Sequence, residues 1–306
     1  MAAVVCVTDN KMIEYHRLNE SQSINFWRPS ARFNIKKLYP NDLVFFLSTN
    51  KNQGSGNKKV LVGYGHFVKE HIMSLKRMWN KYGCKNGCGS EQELYESIKL
   101  HTDVIPPKIH CLEIIDVVYF GQPVYPEEFG ISSKVNKYLE SYAYLNDEHQ
   151  TINFILAKAT EFSGSNLLQQ GTIEQEKEQI HKDLLMNRVY EIAEEVGELN
   201  YPKEVISLNN KVTKKYLTTD QKIQKLIFPH QFYSWRNKIV TIYLPMMINP
   251  RNDVWVKAAA GQLKMWSEKT TNINNIIIKV YVRPLSKTLL NNNLKWPSNM
   301  EFIVVN

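Results

Sequence analysis

Short apolar runs, spaced by polar turns, set the first expectations for this chain. Residues 2–8 (AAVVCVT) are Val-rich and end at Asp9-Asn10, the pattern of a buried strand followed by a turn or helix start. Residues 43–48 and 60–68 read as strands, and Gly63 and Gly65 in the second allow a bulge or a close backbone approach. The spacing predicts a helix around 74–82 and another over 90–100, with Ser90 as N-cap and Glu93 closing a capping box. Residues 109–120 predict a long strand, broken at Pro123–Pro126. Residues 133–160 are helical or mixed, and 163–171 (SGSNLLQQG) resemble a linker.

Beyond the linker, apolar residues recur at three- and four-residue spacing from a Thr172…Gln175 cap to a stop at Asn200-Tyr201-Pro202. A basic amphipathic helix is expected over 203–216 and a third over 219–227. Residues 238–247, 275–284 and 300–305 predict strands. Between them, 252–270 predicts a helix with Asn252 as N-cap and Trp255, Ala259, Leu263 and Trp266 along one face. No internal repeat is visible, nor the strand–helix alternation of a doubly wound sheet. The fold class is therefore α+β: an N-terminal curved sheet or barrel with helices (1–160), a helical middle segment (161–227) and a small C-terminal α+β unit (228–306).

Composition excludes more than it assigns. The chain has 306 residues, enough for two domains, and no apolar run long enough to span a membrane. Four cysteines, none after Cys111, do not suggest an oxidised scaffold, so a cytoplasmic location is expected. Charge is distributed in blocks: 11 Lys/Arg against two acids over 28–81, three against nine over 161–200, and 16 against four over 203–295. Two basic blocks flanking an acidic one fit a polyanionic partner, although solvated faces carry such runs too. Cys84-x3-Cys88 has loose zinc-ligand spacing, with His66, His71 or Cys111 as further candidates. No second pair exists, and no metal is expected. Neither a phosphate-binding G-x-x-x-x-G-K-S/T loop nor a G-x-S-x-G elbow occurs. The nearest echoes of a metal-dependent nuclease are Asp253 with Lys257, and Gln262-x-Lys264, in a region poor in acids.

Six segments in order carry a resemblance: VTDN (7–10), INFWRPS (24–30), PNDLVFFLST (40–49), VGYGHFV (62–68), SLKRMWNKYGCKNG (74–87) and the helix at 90–98. Over about residues 1–150 the chain resembles the N-terminal domain of HNH-type, modification-dependent restriction endonucleases, a PUA-like domain related to the EVE, ASCH and SRA groups. That resemblance implies a domain that reads modified or flipped bases in DNA. The family's HNH nuclease motifs are absent here: no cysteine follows Cys111, and His149, His181 and His230 stand in no metal-ligand pattern.

The resemblance nominates side chains. A flipped base needs an aromatic surface and a few polar groups. Trp27 could stack, Arg28 grip a phosphate or base edge, and Ser30 hydrogen-bond, with Tyr64, Trp79, Tyr82 and Asn86 edging the same pocket. Each aromatic could equally fill a core. Lys36, Lys37, Lys69, Lys76, Arg77 and Lys81 could hold the DNA backbone, contacts that position rather than specify. The expected function is a DNA-binding protein of a prokaryotic restriction or anti-phage defence system. It would read modified phage DNA by base flipping and work with a separate nuclease or motor subunit. A second reading makes the C-terminal unit a DNA-cleaving or base-excising enzyme, with Mg²⁺ as its possible cofactor, and a third makes the protein an RNA binder. No catalytic motif is recognisable and no other cofactor is expected.

Overall fold

The computed structural model describes residues 3–29, 35, 38–50, 58–126, 142–145, 148–162, 170–218, 220, 222–247, 253–283 and 298–305. The chain divides into two compact units, Met1–Leu184 and Leu185–Asn306.

The first unit contains β1 (Ala3–Val7), α1 (Asn10–Leu18), β2 (Ser23–Arg28), β3 (Leu43–Asn50), β4 (Lys58–Met73) and α2 (Leu75–Tyr82). There follow α3 (Glu91–Lys99), β5 (Ile109–Val124), β6 (Tyr142–Tyr144), α4 (Glu148–Phe162) and the start of α5 (Gln170–Val196). Its six strands form one sheet in the order β2-β5-β4-β3-β1-β6, with β1 parallel to β3. The sheet curls. β2 and β3 are not neighbours, yet the Phe26 and Phe46 rings stack across its concave side at 6.2 Å and 9°. Val4, Cys6, Ile24 and Ile114 share this inner core.

The curl starts where β4 lies on β5. Register shifts fall between Leu61 and Gly63, Tyr64 and His66, and Phe67 and Lys69, each adding local twist. A Cβ on Gly63 would meet the Val118 carbonyl oxygen at 2.4 Å, and one on Gly65 the Ile114 Cγ2 at 2.5 Å. Both the bulge and the close approach expected of these glycines are therefore present.

Outside the curl lie two further cores. Phe45, Tyr64 and Phe120 pack with Ile152 and Leu156 of α4 and Ile180 of α5. Trp27 and Cys111 pack with Met78 and Tyr82 of α2 and Leu94 and Ile98 of α3. Asp9 caps α1 by accepting from the Lys11 amide at 3.0 Å. Ser90 caps α3 by accepting from the Glu93 amide at 3.2 Å, while Glu93 reaches back to the Gly89 amide at 2.9 Å. β5 runs through Pro123 to Val124. It ends there, inside the expected Pro123–Pro126 break: the register pairs Val124 with Leu61 and asks no ladder bond of Pro123.

The second unit takes the rest of α5, then α6 (Lys203–Val212) with a π turn (Thr213–Leu217), β7 (Gln224–Lys225), β8 (Phe232–Arg236), β9 (Ile239–Met247), α7 (Asp253–Thr270), β10 (Ile276–Arg283) and β11 (Met300–Val304). Its sheet runs β11-β10-β9-β8-β7, with β9, β10 and β11 mutually parallel and β8 antiparallel to β9. Trp255, Ala259, Leu263 and Trp266, the expected stripe of α7, are all buried.

Three local expectations change. Helix α5 begins at Gln170, so Thr172 lies within it rather than capping it. It ends at Val196, where Gly197 at φ 71° takes the left-handed conformation that stops a helix before Asn200. No helix forms over the described part of 219–227: Asp220 caps the Lys222 amide at 3.0 Å in a turn, and Gln224 and Lys225 pair with β8. Ile223, Leu226 and Ile227 have helical spacing, but pairing with β8 takes the segment instead, and Leu226 is buried there. Asn252 and residues 163–169 lie outside the described residues.

Gly63→Ala should cost about 3 kcal/mol or prevent folding, because the clash is with backbone rather than a movable side chain. Gly65→Ala meets a side-chain methyl and should cost less. Urea unfolding of the two variants, followed by tryptophan fluorescence, checks the order.

Candidate nucleic-acid interface

Ile24, Phe26 and Arg28 alternate onto the inner face of β2, so Arg28 stands at the end of the inner core. Its guanidinium carbon sits 5.2 Å from the centroid of the Phe26 ring. Two of its nitrogens, Nε and Nη2, are buried with no hydrogen-bond partner among the described residues. Burial pushes its pKa down, opposed by Cys6 only once that thiol is ionised and by the charge of the Asp9 carboxylate. Directly opposite on β5 is His110, whose Nδ1 lies 2.7 Å from Glu70 Oε1. A buried donor left unpaired costs about 1–3 kcal/mol, more when charged. A planar fork of free N–H groups suits a phosphate, or the paired acceptors on the edge of a guanine.

The other nominated side chains are not gathered around Arg28. Trp27 faces the outer core, its Nε1 donating to the Asn86 carbonyl at 2.9 Å. Asn86 is 1% exposed; its Oδ1 accepts from Asn25 at 2.8 Å and its Nδ2 donates to the Gly83 carbonyl at 2.7 Å. Tyr82 is buried in the same cluster, with Trp79 partly buried against it. Tyr64 is fully buried on another side of the sheet. Of the two readings open for the aromatics, the packed core is the arrangement in this structure: Trp27, Tyr64 and Tyr82 offer no open ring face to a base. The reason is tertiary. β2–β5 pairing turns Trp27 away from the concave side, and α2 then closes over it.

Among the nominated backbone cations, Lys69 and Lys81 lie 3.9 and 3.6 Å from a shared Glu113 carboxylate. His71 completes that group, 2.8 Å from the Lys81 ammonium, and burial followed by Lys81 and Lys69 lowers its pKa. Lys76 and Arg77 are exposed on α2 and form no ion pair with a described residue. Ser30, Lys36 and Lys37 lie outside the described residues. Cys84 is exposed while Cys88 and Cys111 are buried, and all are free thiols. Among the described residues, no group of three or more His, Cys, Asp or Glu could hold a metal ion. The nuclease echoes do not converge: Asp253, Lys257, Gln262 and Lys264 all sit on helix α7, where Lys264 pairs with Glu268 and Gln262 donates to the Gly197 carbonyl.

A second polar group went unseen in the sequence. Asp183 of α5 is 2% exposed and accepts from the Tyr64 hydroxyl at 2.6 Å, from His66 Nε2 at 3.0 Å and from Gln179 at 3.1 Å. The other ring nitrogen of His66 has no hydrogen-bond partner and points to Asp116, 3.9 Å away. Asp116 is the bulge residue, at φ 49°. Burial alone would push the His66 pKa down, but the charge and hydrogen bond of Asp183, helped by Asp116, outweigh it and raise it above 6.5. A readable signal existed: Asp183 stands three residues after Ile180, on the apolar stripe of its helix.

The sequence matches no family model and no curated protein. Among solved structures, the chain is similar to an ASCH protein from Zymomonas mobilis. That protein itself aligns at 13% identity with a TM-score of 0.35, over 49% of this chain and 92% of its own. A tyrosine-to-phenylalanine variant of it gives 11% identity and 0.36 over 51% and 96%, and a serine-to-alanine variant 11% and 0.37 over 51% and 95%. Likeness at this level is too low to transfer a function. No helix among the described residues is long and apolar enough to cross a membrane.

Because its folded pKa is raised, His66 contributes stability below 6.5 that is lost as pH rises through the folded value. An NMR titration of the His66 ring should therefore give a midpoint above 6.5 in the native chain. Asp183→Asn should bring it below that value, leaving burial uncompensated, and should destabilise the unit by about 2–4 kcal/mol.

Proposed function

We propose that the first unit binds nucleic acid and that Arg28 is the residue through which it reads its target. The observation that carries this is the half-buried guanidinium of Arg28 at the end of the inner core, two of whose nitrogens meet no hydrogen-bond partner among the described residues. Folding does not use them, and an anionic or acceptor-rich ligand would. The basic run over residues 28–81 adds positive charge and hence salt-dependent affinity, with Lys69, Lys76, Arg77 and Lys81 on the α2 side of the sheet rather than around Arg28.

The finer reading is that the target is duplex DNA carrying a modified base, flipped out of the stack, and that the protein serves prokaryotic restriction or anti-phage defence beside a separate nuclease or motor subunit. Support for it is the ordered set of motifs over residues 1–150 together with Arg28. In this reading Trp27 and Asn86 act as positioning residues: the indole fixes the 83–87 turn, and Asn86 in turn holds Asn25 of β2.

Fluorescence anisotropy with unmodified, methylated and hydroxymethylated duplexes tests the reading. One modified duplex should bind about tenfold or more tightly than the unmodified one, and Arg28→Met should abolish that preference. A 2-aminopurine probe at the target position should brighten if the base leaves the stack. Equal, salt-sensitive binding to every duplex, unchanged by Arg28→Met, would remove the proposal. The same substitution should raise unliganded stability by about 1 kcal/mol, since it exchanges an unpaired charge for an apolar side chain. A thermal melt reads that gain.

A further inference from the structure

The second unit carries a feature that the Arg28 site does not use. On β9 and β10, Val240, Ile242, Leu244, Ile278 and Val280 are buried on one face. The alternate positions, Thr241 and Tyr243 on β9 and Ile277, Lys279 and Tyr281 on β10, are only partly buried. Tyr281 stands in a ladder of three rings: its centroid lies 5.9 Å from Tyr216 of the π turn, at 33°, and 6.4 Å from Tyr243, at 37°. None of the three tyrosines is fully buried. The Tyr243 hydroxyl is held by Ser234 Oγ at 3.0 Å, which fixes that ring on the sheet.

Cations edge this ladder. The Lys215 ammonium lies 4.9 Å from the Tyr216 centroid, Lys214 beside it is exposed, and Lys279 sits opposite Tyr243 in the register. One acid is present, Glu301, 3.3 Å from Lys279. Nearby negative charge is scarce. Of the four acids in residues 203–295, Asp220 is already paired with Arg236 and Glu268 with Lys264, against 16 Lys/Arg in the same stretch.

We propose that this tyrosine ladder is a binding platform for single-stranded nucleic acid. Flat rings on a sheet give bases a surface to stack on without regard to sequence, and flanking lysines track the backbone. Duplex nucleic acid hides its base faces inside the stack, so the rings select the single strand. An uncharged ligand that packs on tyrosine rings, such as a proline-rich peptide, would gain nothing from Lys214 and Lys215. The platform stands on residues of the second unit alone and does not depend on Arg28.

The test uses the full chain with Arg28→Ala, which removes the proposed reading contact of the first unit. Anisotropy is measured with fluorescein-labelled dT12, U12 and a 12-base-pair duplex. Both single strands should bind more tightly than the duplex, and the ratio between them tells DNA from RNA preference. Tyr281→Phe, which keeps the ring, should stay within about twofold. Tyr281→Leu, which keeps apolar bulk, should weaken single-strand binding about tenfold. Exposed Lys215→Glu should weaken it and lower the salt slope by about one, and carries the test should Tyr281→Leu fail to fold. A duplex bound as well as the single strands, or Tyr281→Leu and Lys215→Glu both binding like the parent, would overturn the proposal. So would a Tyr281→Leu variant that binds normally but shifts from dimer to monomer in light scattering, which would make the ladder a contact between copies of this chain.

Discussion

The first unit depends on one close approach: β4 lies against β5 with no side chain between them at Gly63. The Val118 carbonyl occupies the space a Cβ would need. From that contact the sheet bends sharply enough for Phe26 of β2 to stack on Phe46 of β3 across the concave side, although two strands separate them in the ladder. The bend makes three cores out of one sheet. It also decides the fate of the last residue of β2, because a curled sheet carries Arg28 inward with Phe26, whereas a flat one would leave its charge in water. The bulges serve the same geometry, and Asp116 at one of them stands beside His66.

Two titratable groups, His66 buried and Arg28 half-buried, are thus drawn toward the interior, and they are treated differently. His66 has Asp183 and Asp116 beside it, so its cation is stabilised despite burial, and the helix bearing Asp183 is tied to β4 through both His66 and Tyr64. Arg28 has only the Asp9 carboxylate as charged support, and two of its nitrogens meet no acceptor among the described residues. One arrangement is what stability alone would select. The other costs stability, a cost that the proposed acceptor-bearing ligand would offset.

Local chemistry was legible in the sequence. The Ser90 cap, the glycines of β4, the apolar stripe of α7 and the α+β class all follow from spacing and residue type. What failed needed partners distant in the chain. Whether Trp27 faces a pocket or a core turns on which side of β5 it pairs with, and Leu112 and Cys111 lie 85 and 84 residues away. Asn86 was nominated for a pocket because its turn exposes amides; instead its side chain is consumed by Asn25 and Gly83. Thr172 matched a cap motif, but helix α5 starts earlier, and the 219–227 segment has helical spacing at Ile223, Leu226 and Ile227 yet is taken by pairing with β8. Asp183, hidden in an acidic block, is the opposite case: its position on the stripe signalled burial, and its partners Tyr64 and His66 were already on the page.

The account rests on Arg28 being a ligand-facing cation rather than a tolerated accident of packing. The most direct measurement is the Nε–Hε NMR signal of Arg28 during titration with an oligonucleotide duplex that the protein binds. The signal should shift with the same midpoint as the binding curve and gain protection from exchange with water, as the buried N–H finds its acceptor. A duplex that binds with full affinity while the Arg28 signal stays unmoved would contradict it.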